Sequence, residues 1–207
     1  KLHLKEKPTE LRYKQACAAV GQCSNMFWYD KFFSEYNQEV AQILFNADDL
    51  ENEEKKENLS NTINTLLEMG IIPIVNENDS VSYTEIDSEE HLFSDNDKLS
   101  AIVAILCKAG KLVIFSDIDG FFDKDPRLYS DAKLIDRIDE ITDDTFQPAG
   151  GAGSRRGTGG MRTKLEAARL ATAQGISTIV TNGAHPDALY SVVAGRKVGT
   201  LFKGNRR

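Results

Sequence analysis

Short apolar runs alternate with helix-forming segments along most of this chain, and glycines stop several of the helices. Val40 to Phe45, Ile71 to Val75, Leu112 to Phe115 and Thr178 to Val180 read as strands. Helices are expected over Glu10 to Gln22, Asn25 to Asn37, Asn58 to Met69, Asp97 to Ala109, Leu165 to Gln174 and Pro186 to Ala194. Ile63, Leu66 and Leu67 share one face of the third of these, and Gly70, Gly110 and Gly175 stand where three of the helices should end. Strand–helix–strand units return each strand parallel to the one before, so the expected fold class is α/β with a parallel sheet covered on both faces. Ile71 to Val75 and Leu112 to Phe115 are nearly all apolar, which predicts strands buried on both sides. Ligand sites in such folds lie beyond the carboxyl ends of the strands. Three polar clusters follow strands here: Asn76-Glu77-Asn78-Asp79, Ser116-Asp117 and Thr181-Asn182-Gly183.

With 207 residues and no long linker or repeat, the chain is expected to form one domain, residues 1–207. A net charge of −7 argues against a general nucleic-acid surface. No apolar run approaches the roughly 20 residues that cross a bilayer and no signal peptide opens the chain, so a cytoplasmic protein without a membrane partner is expected. Cys17, Cys23 and Cys107 are odd in number and lie in apolar, helix-like contexts, which predicts reduced core thiols. His3, His91 and His185 lack metal-ligand spacing and read as solvated or loop residues, so no protein-held metal is expected. Arg155, Arg156, Arg162 and Lys164 gather around a run of glycines, whereas Glu85, Asp87, Glu89 and Glu90 form an acidic patch elsewhere. A basic pocket in an acidic protein points to a small anionic ligand.

That glycine run, Gly157-Thr158-Gly159-Gly160-Met161-Arg162-Thr163-Lys164, leads straight into the helix at Leu165. Glycines let backbone N–H groups approach an anion, and a helix N-terminus adds partial positive charge. The spacing is neither that of a P-loop nor that of a dinucleotide fingerprint. A flexible surface loop and a nucleotide phosphate cradle both suit these residues. Asn76, Asn78 and Asp79 fit either a capped turn or a cluster that holds an amino group through Asp79 and a carboxylate through the amides. Ser94-Asp95-Asn96-Asp97 supplies a helix cap, but two carboxylates and an amide exceed what a cap needs. Asp97 is placed to accept from lysines, and Asn96 to donate to a substrate carboxylate. Asp117-Ile118-Asp119-Gly120 lacks the remaining ligands of a calcium loop, which leaves a structural turn or a nucleotide contact. No nucleophile–histidine–acid arrangement is present. Phosphoryl transfer depends on positioning and charge more than on acid–base groups, and a carboxylate acceptor needs no base.

Taken together and in order, these motifs, with Asp125-Pro126 and Val198-Gly199-Thr200-Leu201-Phe202, resemble the amino acid kinase family. Within it they resemble the branch that phosphorylates the γ-carboxylate of L-glutamate, the first step of proline synthesis. The likeness runs from Gln15 onward and implies a three-layer α/β/α sandwich with a mainly parallel sheet. It implies that Asp79, Asn96 and Asn76 bind glutamate, and that Lys164 and Asp97 are catalytic. It further implies that Ser116, Asp117, Thr158, Gly159, Gly160, Met161, Arg162, Thr163 and Lys164 bind ATP, with Mg²⁺ accompanying it. Feedback inhibition by L-proline through residues 80–94 and assembly as a dimer or tetramer belong to the same expectation. The family opens with a strand bearing Lys-x-Gly-Ser and a second ending in Ser-Ser-Gly-Ala. Neither is found here, so the kinase domain is expected to be incomplete at its N-terminus and the chain as written to lack full activity. No RNA-modification-type accessory domain is expected after Phe202. Sibling kinases for acetylglutamate, aspartate, carbamate or UMP, and an inactive proline- or nucleotide-binding subunit, are the competing expectations.

Overall fold

In the computed structural model, residues 6, 8–81, 96–147 and 160–205 are described. Their contacts fall into two compact units, Lys1–Phe93 and Ser94–Arg207. The first contains α1 (Leu11–Ser34), β1 (Val40–Phe45), α2 (Ala47–Glu51), α3 (Glu53–Glu68) and β2 (Ile72–Glu77). Strands β1 and β2 pair in parallel, Val40 opposite Ile72 through Phe45 opposite Glu77. Helix α3 is the crossover between them. Its start is capped by Asn52, whose side-chain oxygen accepts from the Lys55 N–H at 3.0 Å. Its end is closed by Gly70, at φ +74°, with the Ile71 N–H returning to Leu66 O at 2.9 Å.

Several expectations change in this unit; α3 starts at Glu53, five residues before the predicted Asn58, and β2 runs on to Glu77. The two predicted N-terminal helices are one continuous helix of 24 residues. Gly21 costs only about 1 kcal/mol in a helix interior and does not break it, and Ser24 donates its hydroxyl back to Val20 O at 3.3 Å. On α3, Ile63 is fully buried but Leu67 is 46% exposed, because the buried face is centred on Ile63 and Leu59. Cys23 is exposed on α1, so it is not a core thiol; Cys17 and Cys107 are half-buried, and all three are free. Strand β2 is half-buried throughout and not enclosed on both faces.

The second unit contains α4 (Asn96–Leu106), β3 (Lys111–Ser116), β4 (Arg137–Ile138), a single 3₁₀ turn at Asp143–Phe146, α5 (Met161–Ala173), β5 (Ser177–Asn182), α6 (Ala188–Val193) and β6 (Thr200–Phe202). Its sheet runs β3-β5-β6-β4, with β3–β5 and β4–β6 parallel and β5–β6 antiparallel. The chain is thus α/β with mostly parallel pairing. The strand enclosed on both faces is β5, where Thr178 to Thr181 are all buried, while β3 alternates and leaves Phe115 43% exposed. Helix α4 ends earlier than predicted, at Leu106, because Lys108 adopts the left-handed conformation (φ +51°) and Ala109 N–H returns to Ala104 O at 2.8 Å. Strands β4 and β6 were not predicted; at two and three residues they are too short to show a period.

Small residues bring α4 and α5 together. Ala101 and Ala104 on α4 and Ala167, Ala168 and Ala171 on α5 belong to one core with Leu165, Ile114 and Phe202. Beyond β3, the loop is tied to β6 by the Thr200 hydroxyl. This group accepts from the Phe121 N–H at 2.8 Å and donates to Ile135 O at 2.6 Å. Gly120 permits the approach, since a Cβ there would lie 2.7 Å from Thr200 Oγ1. Replacing Thr200 by valine should leave a buried N–H and a carbonyl without partners at a cost of about 2 kcal/mol. Chemical denaturation should show the midpoint fall with an unchanged m-value; an unaltered midpoint would refute the bridge.

Candidate functional site

Asn76 and Ser116 lie at the carboxyl ends of parallel strands and Asn78, Asp79 and Asp117 follow them, where backbone pairing stops and N–H groups become available. In the first unit, Asn46 follows β1 and donates its N–H to Asp49 Oδ2 at 2.9 Å. Its side-chain oxygen accepts from the Asn78 N–H at 3.1 Å, which links the ends of β1 and β2. Ser80 donates its hydroxyl to Asn78 Oδ1 at 2.6 Å, so the turn after β2 is internally braced. Asn76 and Glu77 are not in that turn. They are the last residues of β2, half-buried opposite Leu44 and Phe45.

Asp79 keeps an exposed surface, yet the protein around it withdraws enough water to push its carboxyl above the ordinary value of 3.8. Asp49 moves the other way. The Asn46 N–H, then Lys55 at 2.9 Å, hold its carboxyl below that range. Asn46 was missed in the sequence, although it is the first polar residue after an apolar run.

In the second unit, Asn96 is the exposed first residue of α4 and Asp97 lies in its first turn. Packing of α4 on α5 places Asp97 beside the first turn of α5. Lys164 Nζ donates to Asp97 Oδ2 at 2.9 Å, with both side chains largely buried (16% and 12% exposed). Thr163 donates its hydroxyl to the same oxygen at 2.8 Å. Arg162 is exposed and pairs with Glu166 of its own helix at 3.2 Å. Met161 packs against the core and anchors the helix start. Gly160 occupies the cap position with no side-chain cap bond, and a Cβ there would meet nothing within 4 Å. The first turn of α5 thus brings Thr163 and Lys164 together beside Asp97.

Ser116 ends β3 and donates its hydroxyl to Asp117 Oδ1 at 3.3 Å, while Arg127 holds Asp117 Oδ2 at 2.7 Å. Asn182, at the end of β5, donates to Asp119 Oδ1 at 2.8 Å, and the Gly183 N–H returns to Ser116 O at 2.8 Å. Arg127 and Asn182 thus fix the loop carrying Asp117 and Asp119. Arg127 is ten residues beyond its partner, and no sequence period marks it. His185 is exposed, as expected. Thr158, Gly159, Arg155, Arg156, His3, His91 and the acidic segment 82–95 lie outside the described residues.

Among the described residues, no group of three or more His, Cys, Asp or Glu could cage a metal, and no helix is long and apolar enough to cross a membrane.

Comparison with known proteins follows the same outline. A sequence profile of the amino acid kinase family matches residues 1–182. A glutamate 5-kinase from Clostridium perfringens is 54% identical over 98% of this chain and 75% of its own length. One from Caldanaerobacter subterraneus subsp. tengcongensis is 46% identical over 98% of this chain, which spans only 53% of that relative. Among solved structures, an isopentenyl phosphate kinase from T. acidophilum (TM-score 0.52, 18% identity) and a UMP kinase from Bacillus anthracis (TM-score 0.53, 17% identity) share the fold. Each of these alignments covers 82% of this chain, and respectively 62% and 60% of the solved chain.

Asp79 generates a prediction on stability. With its folded-state value raised, ionised Asp79 opposes folding; the cost sets in as pH rises past the unfolded value and is complete above the folded one. Asp79→Asn should therefore be more stable than the parent near pH 7. Denaturation across pH should show that gain fade as pH falls toward 3.8, and a gain independent of pH would contradict the assignment.

Proposed function

The chain belongs to the amino acid kinase family, and on that premise we propose that it serves glutamate 5-kinase chemistry: transfer of the γ-phosphoryl group of ATP to the γ-carboxylate of L-glutamate. The observation that carries this reading is the largely buried Asp97–Lys164 pair at the glycine-started N-terminus of α5. A helix N-terminus with a lysine one turn in suits a polyphosphate.

Asp79 in its ionised form takes the α-ammonium of glutamate, and Asn96 and Asn76 donate amide protons to its carboxylates. The backbone N–H groups of Gly160, Met161, Arg162 and Thr163 donate to phosphate oxygens, and Thr158 and Gly159 are assigned to the same ligand. Ser116 and Asp117 hold the nucleoside side, with Asp117 braced by Arg127. A γ-carboxylate oxygen attacks the terminal phosphorus, and the bond from that phosphorus to the bridging oxygen breaks. ADP departs and L-glutamyl 5-phosphate remains. The acceptor is already ionised at neutral pH, so no side chain has to remove a proton. Lys164 faces the charge that grows on the transferring group, and Asp97 keeps its ammonium aimed there.

A Mg²⁺ ion would arrive with the nucleotide, with Asp97 as the nearby carboxylate. Such an ion supplies neutralisation of phosphate charge. Inhibition by L-proline, assembly as dimers or tetramers, a cytoplasmic location and organisation as one kinase domain belong to the same reading.

A coupled ADP-release assay with L-glutamate tests it. Lys164→Ala should lower kcat by on the order of 10²–10³-fold. Preference for acetylglutamate, aspartate, carbamate or UMP over glutamate, or full activity in Lys164→Ala, would defeat the proposal. The ammonium role of Asp79 gives an independent check. The KM for glutamate should rise as pH falls through the raised Asp79 value, and Asp79→Asn should abolish that dependence while raising KM throughout.

A further inference from the structure

Among the described residues, the single hydroxyl proton of Thr163 has two acceptors within reach, Asp97 Oδ2 at 2.8 Å and Gly160 O at 3.0 Å. The Lys164 ammonium donates to that same Asp97 Oδ2 at 2.9 Å. One carboxylate oxygen on α4 thus gathers two consecutive residues of α5. The two donors differ in reach. Lysine carries its charge on a flexible four-carbon stem, whereas the threonine hydroxyl sits on Cβ with two χ1 rotamers open to it in a helix. Geometry at this point is therefore set by the hydroxyl more than by the ammonium. Turned to Gly160 O, the hydroxyl would brace the glycine turn against its own helix. Asp97 Oδ2 would then be linked to α5 by the lysine.

We propose that Thr163 is a positioning residue whose hydroxyl fixes the Asp97 carboxylate and, through it, the Lys164 ammonium at the phosphoryl-transfer site. The role is distinct from any phosphate contact at the same helix start, which the Thr163 backbone N–H would make. It rests on the kinase reading above, but the contact itself can be tested without turnover.

In the intact protein, Thr163→Val keeps the branch and volume and removes the hydroxyl, and Thr163→Ser restores it. Thr163→Val should lower kcat on the order of ten-fold with the KM for ATP and glutamate within about two-fold, and Thr163→Ser should recover most of the loss. In an Asp97→Asn background, Thr163→Val should add less than about two-fold, because the partner is already altered. In ligand-free protein, the ¹³C signal of the Asp97 carboxyl should move in Thr163→Val and return in Thr163→Ser. Unchanged kcat, a rise in the KM for ATP alone, full multiplication of the two losses, or an unmoved carboxyl signal would overturn the proposal. If Thr163→Val fails to fold, Thr163→Ala is read in the same way. Absence of glutamate-dependent ADP release in the parent would sink the kinase reading instead, and the carboxyl signal would still decide the contact.

Discussion

Parallel pairing of β3 with β5 is the constraint on which the second unit depends. Lys111 opposite Ser177 through Ser116 opposite Asn182 makes the two strands stop at one level. Each is preceded by a helix, α4 before β3 and α5 before β5, so the helices run side by side with their N-termini at that same end. Alanines at the helix contact let the backbones approach closely. Asp97 and Lys164 are 67 residues apart in sequence, and this arrangement makes them ion-pair partners. Slippage of the strand register by one residue would turn every β5 side chain to the opposite face. It would also shift Asn182 away from Asp119.

The edges of the same sheet fix the loop that follows β3. Gly199, at φ +58°, lies so close to Val180 O that no Cβ could fit, and this brings Thr200 into line with Val180. Thr200 in turn holds Phe121 and Ile135. Asp117 and Asp119 then sit at the start of a loop anchored behind them, with Arg127 and Asn182 fixing their carboxylates. Two or three residues of unremarkable strand, β6, thus control where a polar loop stands. That is a packing function, and it explains why a glycine and a threonine so far along the chain belong with the site.

How much of this could be read in the sequence depended on the range of the interaction. Val40 to Phe45 is a strand with its predicted bounds, since an apolar run ending in a polar capping residue is local information. The stop at Gly175 was legible for the same reason, whereas α5 starts at Met161, four residues before the predicted Leu165. Local signals misled where a tertiary or continuous element outweighed them, as at Gly21 inside α1 and at Lys108, which takes a turn conformation expected of Gly110. Asp97 was legible as a partner for lysines. Arg127 with Asp117, Asn46 with Asn78, and Thr163 with Asp97 were not. The first closes a loop that has no sequence period, and the other two join segments brought together by strand register or helix packing. Single short strands such as β4 and β6 carry too few residues to declare themselves.

Division of the described residues into two compact units has an evolutionary consequence. The turn bearing Asp79 lies in one unit, and the glycine-capped helix with Asp97 and Lys164 lies in the other. Substitutions that recast what the first unit recognises leave the hydrogen bonds of the second untouched. Under the proposed function, a lineage could change the acceptor contacts of Asp79 and Asn76 while it keeps the Asp97–Lys164 pair. Diversification by halves is what such an architecture permits.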